Sequence, residues 1–145
     1  MSVADALESR IHAGIPLSAA MRFRIVSLQE HAIAVSAPLA PNVNVHGTAF
    51  AGSLYAVGIL TAWGLAAHLI DRAGLGADLV VAEATIRYRA PVEGDIVSRC
   101  SVDPAAAGEF TGRLASDGRA RLALTVVLGE PPAATILATM HARLR

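Results

Sequence analysis

Pro41-Asn42-Val43-Asn44-Val45-His46-Gly47-Thr48-Ala49-Phe50-Ala51-Gly52-Ser53-Leu54-Tyr55-Ala56, with the apolar run that continues to Ile70, decides how the rest of the chain must be arranged. In its first half Asn42, Asn44, His46 and Thr48 alternate with Val43, Val45 and Gly47. Extended backbone would place the four polar side chains on one side. The pattern then changes. From Ala49 to Ile70 there is no Asp, Glu, Lys or Arg. This run predicts a buried helix whose first turn carries Gly52 and Ser53. Free backbone N–H groups at a helix start can hold a developing negative charge. Polar side chains leading into such a start mark a candidate active site. The plainer reading is a loop followed by a core helix.

A helix apolar nearly all round must be enclosed. Gly58, Ala62 and Ala66 fall at i, i+4 and i+8 and form a small-residue stripe that lets another element approach closely. Phe50, Leu54, Val57 and Thr61 line another side. The run is long enough to cross a bilayer. Gly52, Ser53, Gly58, Thr61, Gly64 and His68 within it argue against that, as does the lack of a flanking Lys/Arg cluster. Gly74 and Gly76 end the helix.

The flanks supply the enclosure. Upstream, Ser2 to Ala13 reads as a short helix with Ser2 and Asp5 in capping-box spacing, and it carries no signal-peptide pattern. Arg22 to Leu28 and His31 to Ala37 read as strands around Gln29-Glu30, with Ile33 and Val35 inward. Downstream, Val80 to Ala90 alternates, with Val80, Ala82, Ala84, Ile86 and Tyr88 on one face and Glu83, Thr85, Arg87 and Arg89 on the other. Asp95 to Val102 follows as a strand. Phe110 to Ser116 and Arg119 to Leu128 flank Asp117-Gly118, which predicts a hairpin. Thr135 to Arg143 alternates with Ile136, Ala138, Met140 and Ala142 inward. The expectation is one α+β domain over residues 1–145, with an antiparallel sheet curled around the long helix.

Composition bounds the function. The chain is 54% hydrophobic and 17% charged, with a formal net charge of zero. That balance lacks the basic footprint of a nucleic-acid binder and favours self-association. Cys100 is the only cysteine, so no intrachain disulfide forms and a reducing, cytoplasmic compartment fits. His12, His31, His68 and His141 have no metal-ligand spacing, and neither metal nor cofactor is expected.

Ala37-Pro38-Leu39, Asn42, Asn44, the Gly47-to-Tyr55 segment and Trp63-Gly64 together resemble the hotdog fold, in which an antiparallel sheet wraps a central helix. The likeness is to the thioesterase-like hotdog domain that in some proteins follows an acetyltransferase domain. No acetyltransferase domain is present in this sequence. Ile86-Arg87-Tyr88-Arg89-Ala90-Pro91 with Gly94 is similar to the strand and turn after the helix in many hotdog thioesterases. The resemblance runs from about Ile15 onward. It implies hydrolysis of acyl thioesters on coenzyme A or an acyl-carrier protein, in a homodimer or a dimer of dimers with sites at the subunit interface. It also implies an Asp or Glu about two turns into the helix. Gly58, Ile59 and Leu60 stand there instead.

With that acid missing, the base must come from elsewhere. Glu83, the one acid within the Val80-to-Ala90 run, ranks first, supplied by the partner subunit; pairing with Arg87 or Arg89 is its ordinary alternative. His46 ranks second, as a side chain of the type that most often serves as a general base, against the alternative of a loop histidine bonded to backbone. The Gly52 N–H, with Ala51 or Ser53 beside it, is the candidate oxyanion donor; tight packing is the other reason for a glycine there. Asn42, Asn44 and Thr48 would position water or the substrate carbonyl, although Asn near Pro is also ordinary turn chemistry. Tyr55 and Ile59 would line the acyl tail. Ser53 lacks a nucleophile elbow. The second function class is a protein that binds acyl thioesters without cleaving them, as a carrier or ligand sensor.

Overall fold

The computed structural model describes all 145 residues. Helix α1 spans Val3–Gly14, and its capping box forms as the sequence predicts: Asp5 N–H donates to Ser2 Oγ at 3.0 Å and Ser2 N–H donates to the Asp5 carboxylate at 3.2 Å. A short helix, α2, follows at Pro16–Ala20, with proline in its first turn, where its missing N–H costs nothing. Strands β1 (Arg24–Gln29) and β2 (Ala32–Ala37) pair antiparallel. A single 3-10 turn at Ala40–Asn42 leads to the long helix α3, Ala51–Arg72. Then come β3 (Ala77–Tyr88), β4 (Ile96–Ser101), helix α4 (Pro104–Asp117), β5 (Arg119–Leu128) and β6 (Ala134–Leu144).

The six strands form one antiparallel sheet in the order β1-β2-β4-β5-β6-β3. It wraps α3, so the fold is the α+β hotdog arrangement. The small stripe on α3 permits that wrap. A side chain at Gly58 would run into Ile136 and Leu128, and one at Gly64 would stand 3.1 Å from Ile33 Cδ1. Ala62 and Ala66 are fully buried. Thr61, also buried, donates to the Val57 carbonyl at 2.7 Å and shares a second 2.7 Å hydrogen bond with Ser98 Oγ on β4. Trp63 Nε1 donates to the Leu79 carbonyl at 2.9 Å and ties the helix to β3. The apolar run therefore serves as the core of the sheet, with most of its length buried.

Two expectations are corrected. Phe110 to Ser116 is not a strand, and Asp117-Gly118 is not a hairpin turn. Asp103-Pro104 starts a helix, and Ala107, Phe110 and Leu114 bury at helical spacing against the sheet. Gly118, at φ 79°, is the left-handed residue that ends it. The strand phase before Glu83 also differs. Val81 pairs with Met140 and Glu83 with Thr139, leaving Ala82 as an extra residue. This bulge flips the face. Leu79 and Val81 point inward, Val80 is exposed, and the expected phase holds only from Ala84 onward.

Candidate active site

The segment before α3 is not extended. Val43 and Ala49 form an isolated antiparallel bridge, and residues between them turn, with Gly47 at φ 80°. The Asn44 side chain organises that turn. Its Oδ1 accepts from the N–H groups of His46 (2.8 Å) and Thr48 (3.1 Å), while Nδ2 donates to Thr48 Oγ1 (2.9 Å) and the Ala49 carbonyl (3.3 Å). Asn44 and Thr48 are half-buried, and His46 stands exposed on the turn without a side-chain bond.

Asn42 does a different job. It is 1% exposed, and its Nδ2 donates to the carbonyls of Met21 (3.0 Å) and Pro38 (2.8 Å). Its own carbonyl accepts from Phe50 N–H at 2.7 Å. Asn42 thus clasps the end of α2, the exit from β2 and the start of α3. Its Oδ1 has no partner within the chain.

The start of α3 is open. Phe50 precedes the helix and provides no side-chain cap. Leu54 N–H bonds to the Phe50 carbonyl at 3.0 Å, but the N–H groups of Ala51, Gly52 and Ser53 meet no acceptor in the chain. Ala51 and Gly52 are exposed and Ser53 is half-buried. The glycine has a packing reason as well: a Cβ on Gly52 would strike the ring of Phe50, which lies over it. Tyr88, the last residue of β3, donates from its hydroxyl to the Ala51 carbonyl at 2.8 Å. Partial burial, and then neighbouring Tyr55, pushes the Tyr88 phenol above its ordinary pKa, so it stays a donor at neutral pH. Tyr88 was absent from the expected site. Its inward phase with Ala84 and Ile86 was the available signal.

The structure thus brings Asn44, Thr48, Ala51, Gly52, Ser53 and Tyr55 to one end of the central helix. Ile59 lies half-buried against the core. Glu83 is elsewhere. It sits at the bulge of β3 on the sheet's outer face, beside Thr85, Ala123, Leu137 and Thr139, opposite to the face that carries α3. A cavity of about 570 Å³ lies near the other end of α3, floored by Ile11, Ile15, Trp63, Ile70, Leu75 and Leu79. Cys100 is buried, which pushes its thiol up to about 12, so it offers no thiolate. No group of three or more His, Cys, Asp or Glu side chains is placed to hold a metal ion.

The family model described as "Putative thioesterase (yiiD_Cterm)" matches residues 4–136. The chain belongs to this thioesterase family. Membership places the protein in the general class of enzymes that hydrolyse thioesters. Solved relatives follow it over nearly their whole length. A protein of unknown function from Chlorobaculum tepidum is 26% identical, with 99% of this chain and 95% of that one covered at a TM-score of 0.94. A putative thioesterase from Shewanella oneidensis is 30% identical, covering 98% of this chain and 97% of that one at 0.87. A protein of Pseudomonas aeruginosa described as a probable thioesterase is 23% identical, with coverage of 100% and 99% at 0.83; at that identity it speaks for the fold. In this thioesterase-family chain the open start of α3 brings together free backbone donors, half-buried polar side chains and apolar surface.

Proposed function

We propose that the protein hydrolyses acyl thioesters carried on coenzyme A or an acyl-carrier protein. The observation that carries this reading is the uncapped start of α3, where the Ala51, Gly52 and Ser53 amides have no partner. The thioester carbonyl oxygen would sit on Gly52 N–H, with Ala51 or Ser53 N–H beside it. Water then adds to the carbonyl carbon, and the tetrahedral oxyanion is held by those amides. One such donor is worth about 3–4 kcal/mol in the transition state. The C–S bond breaks, a thiolate leaves and takes a proton, and the products are a carboxylate and a free thiol. A thiolate is a good leaving group, so the chain needs a base more than an acid.

His46 is the stronger candidate for that base. Its turn is held by Asn44 next to the helix start. Glu83 lies on the outer face, and a dimer that continues the sheet would keep it there. The acyl tail would pass Tyr55 and Ile59. The assembly is a homodimer joined at the edges of β3, in a reducing cytoplasmic compartment. In that pairing the start of β3 on one protomer lies beside the end of β3 on its partner. The apolar cavity floored by Trp63 then adjoins the partner's helix start and extends the tail site.

A second reading is a binding protein without hydrolysis. Gly58, Ile59 and Leu60, where the family habit is a carboxylate, favour it. A panel of short, medium and long acyl-CoAs and acyl-carrier proteins, with free-thiol detection, separates the two. Release of thiol is the expected result. Binding of several thioesters with no thiol released would establish the second reading instead.

A further inference from the structure

The ends of β5 and β6 carry an unusual arrangement of charge. Arg119 is paired directly with Arg143, and Arg121 with His141. The intervening Ala120, Leu122, Met140 and Ala142 are buried in the core, so the four basic side chains share the outer face. The inward alternation locks this register, because a slip of one residue would turn the core residues out. Like charges set directly opposite across a ladder are unfavourable. The chain does not relieve them. Arg119, Arg121 and Arg143 make no ion pair, while the nearby acids are engaged: Asp78 with Arg145, Glu109 with Arg113, and Asp117 with the Ser116 hydroxyl. In a chain of zero net charge, this is a local basic square of three arginines without ion pairs and one histidine, bordered by the Asp117 carboxylate and by Asp78 opposite Arg143.

We infer that this square docks the acidic helical surface of a carrier protein that delivers the thioester. The inference rests on the thioesterase reading and selects, between its two substrate forms, the protein-borne one. Three observations favour a protein over a small anion. None of the residues around the shallow cleft at Arg119, His141 and Arg143 is buried, so a lone phosphate would be held only by solvent-exposed contacts, each weak. A partner that engages all four positions at once escapes that limit. The spacing also matches. Opposed residues on antiparallel strands have Cβ atoms about 4.5–5.5 Å apart, and acids at i and i+4 on a helix stand about 5–6 Å apart. The position fits delivery as well. Asp78 at the start of β3 pairs with Arg143, which pairs with Arg119. In the edge-to-edge dimer, strand spacing of about 4.8 Å places the square, on the outer face at the strand ends, about 10–15 Å along the sheet from the end of the partner's β3, so a carrier arm would pass round the strand ends to reach the helix start on the inner face.

The test compares one acyl chain on two carriers. R119E/R143E is expected to lower kcat/KM for the acyl-carrier-protein thioester by about ten- to a hundredfold, through loss of steered encounter. The rate on the matching acyl-CoA should change less than about twofold, and R119Q/R143Q should fall between wild type and the charge reversal. The neutral pair also removes like-charge repulsion, so it should melt no lower than wild type. Equal losses on both substrates would overturn the inference in favour of the nucleotide phosphates, and no loss on either would overturn it outright. If neither thioester is hydrolysed, the thioesterase reading has failed and docking is read directly. Fluorescently labelled holo-acyl-carrier protein should then bind wild type and lose that binding with R119E/R143E and with added salt; equal binding, or none, overturns docking on its own.

Discussion

Two asparagines only two residues apart have unlike fates, and the difference bears on which side chains can do chemistry. Asn44 spends both amide atoms on its own turn. Asn42 spends its amide nitrogen on carbonyls from two other segments. Replacing Asn42 with Ala orphans the Met21 and Pro38 carbonyls and opens a small void, so stability should fall by about 2–3 kcal/mol, seen as a lower urea midpoint at unchanged slope. Lost turnover at an unchanged midpoint would make Asn42 a substrate contact instead. The kinetic variants separate differently. Gly52→Val would place a branched side chain against Phe50 and over the free amides, and turnover should be abolished while the fold persists, as judged by circular dichroism. His46→Ala should lower kcat by about 10²–10⁴ if it is the base, whereas Glu83→Gln on the outer face should leave kcat within about twofold. Full rate in His46→Ala would end its candidacy and leave a water held by the Asn44 turn as the better account.

At the scale of elements, what was legible in the sequence depended on whether neighbours in space were also neighbours in the pattern. Helix α3 was legible because twenty-odd residues without charge admit few other solutions. β2, β4, β5 and β6 were legible from period two and flanking turns, and β1 from the turn that follows it. α4 was not, because Asp-Gly serves both as a tight hairpin and as a left-handed helix stop. The deciding signal was the helical spacing of Ala107, Phe110 and Leu114. The bulge at Ala82 was invisible because it is defined by pairing with β6. The same holds for the site. Gly52 and its free amides could be placed from the helix start alone, but Asn42's partners lie up to 21 residues away in the chain. The helix–sheet contact gives a sharp test of the small stripe. Gly58→Val would overpack against Ile136, which is fully buried. The expected loss is about 1–3 kcal/mol or more, measured by urea unfolding. Gly112→Val, on α4 with open space around it, should be neutral or gain roughly a few tenths of a kcal/mol, since glycine is the poorest helix former after proline.

For the whole molecule the open question is what covers the edge of β3. The strand is 12 residues long, pairs only with β6, and ends the sheet. Val80 is 55% exposed and Tyr88 47% exposed along it. A long unpaired edge with exposed apolar side chains is a template for another strand, and this edge has no interior Pro or Lys to deter one. Its charges, Asp78, Glu83 and Arg87, are mixed in sign. Antiparallel pairing about the strand's middle would bring Asp78 of each protomer toward Arg87 of the other. The same pairing sets each open helix start beside the other protomer's apolar cavity, so activity and association should fall together. Val80→Lys places a charge of the type that natural edges use against pairing. It should weaken the dimer by about tenfold or more, the equivalent of roughly 1.4 kcal/mol, in sedimentation at micromolar concentration. Specific activity of the variant should then rise with protein concentration and approach the wild-type value as the dimer is restored. A wild-type protein that sediments only as a monomer would remove the β3 dimer. A Val80→Lys monomer with undiminished turnover would show that each chain carries a complete site.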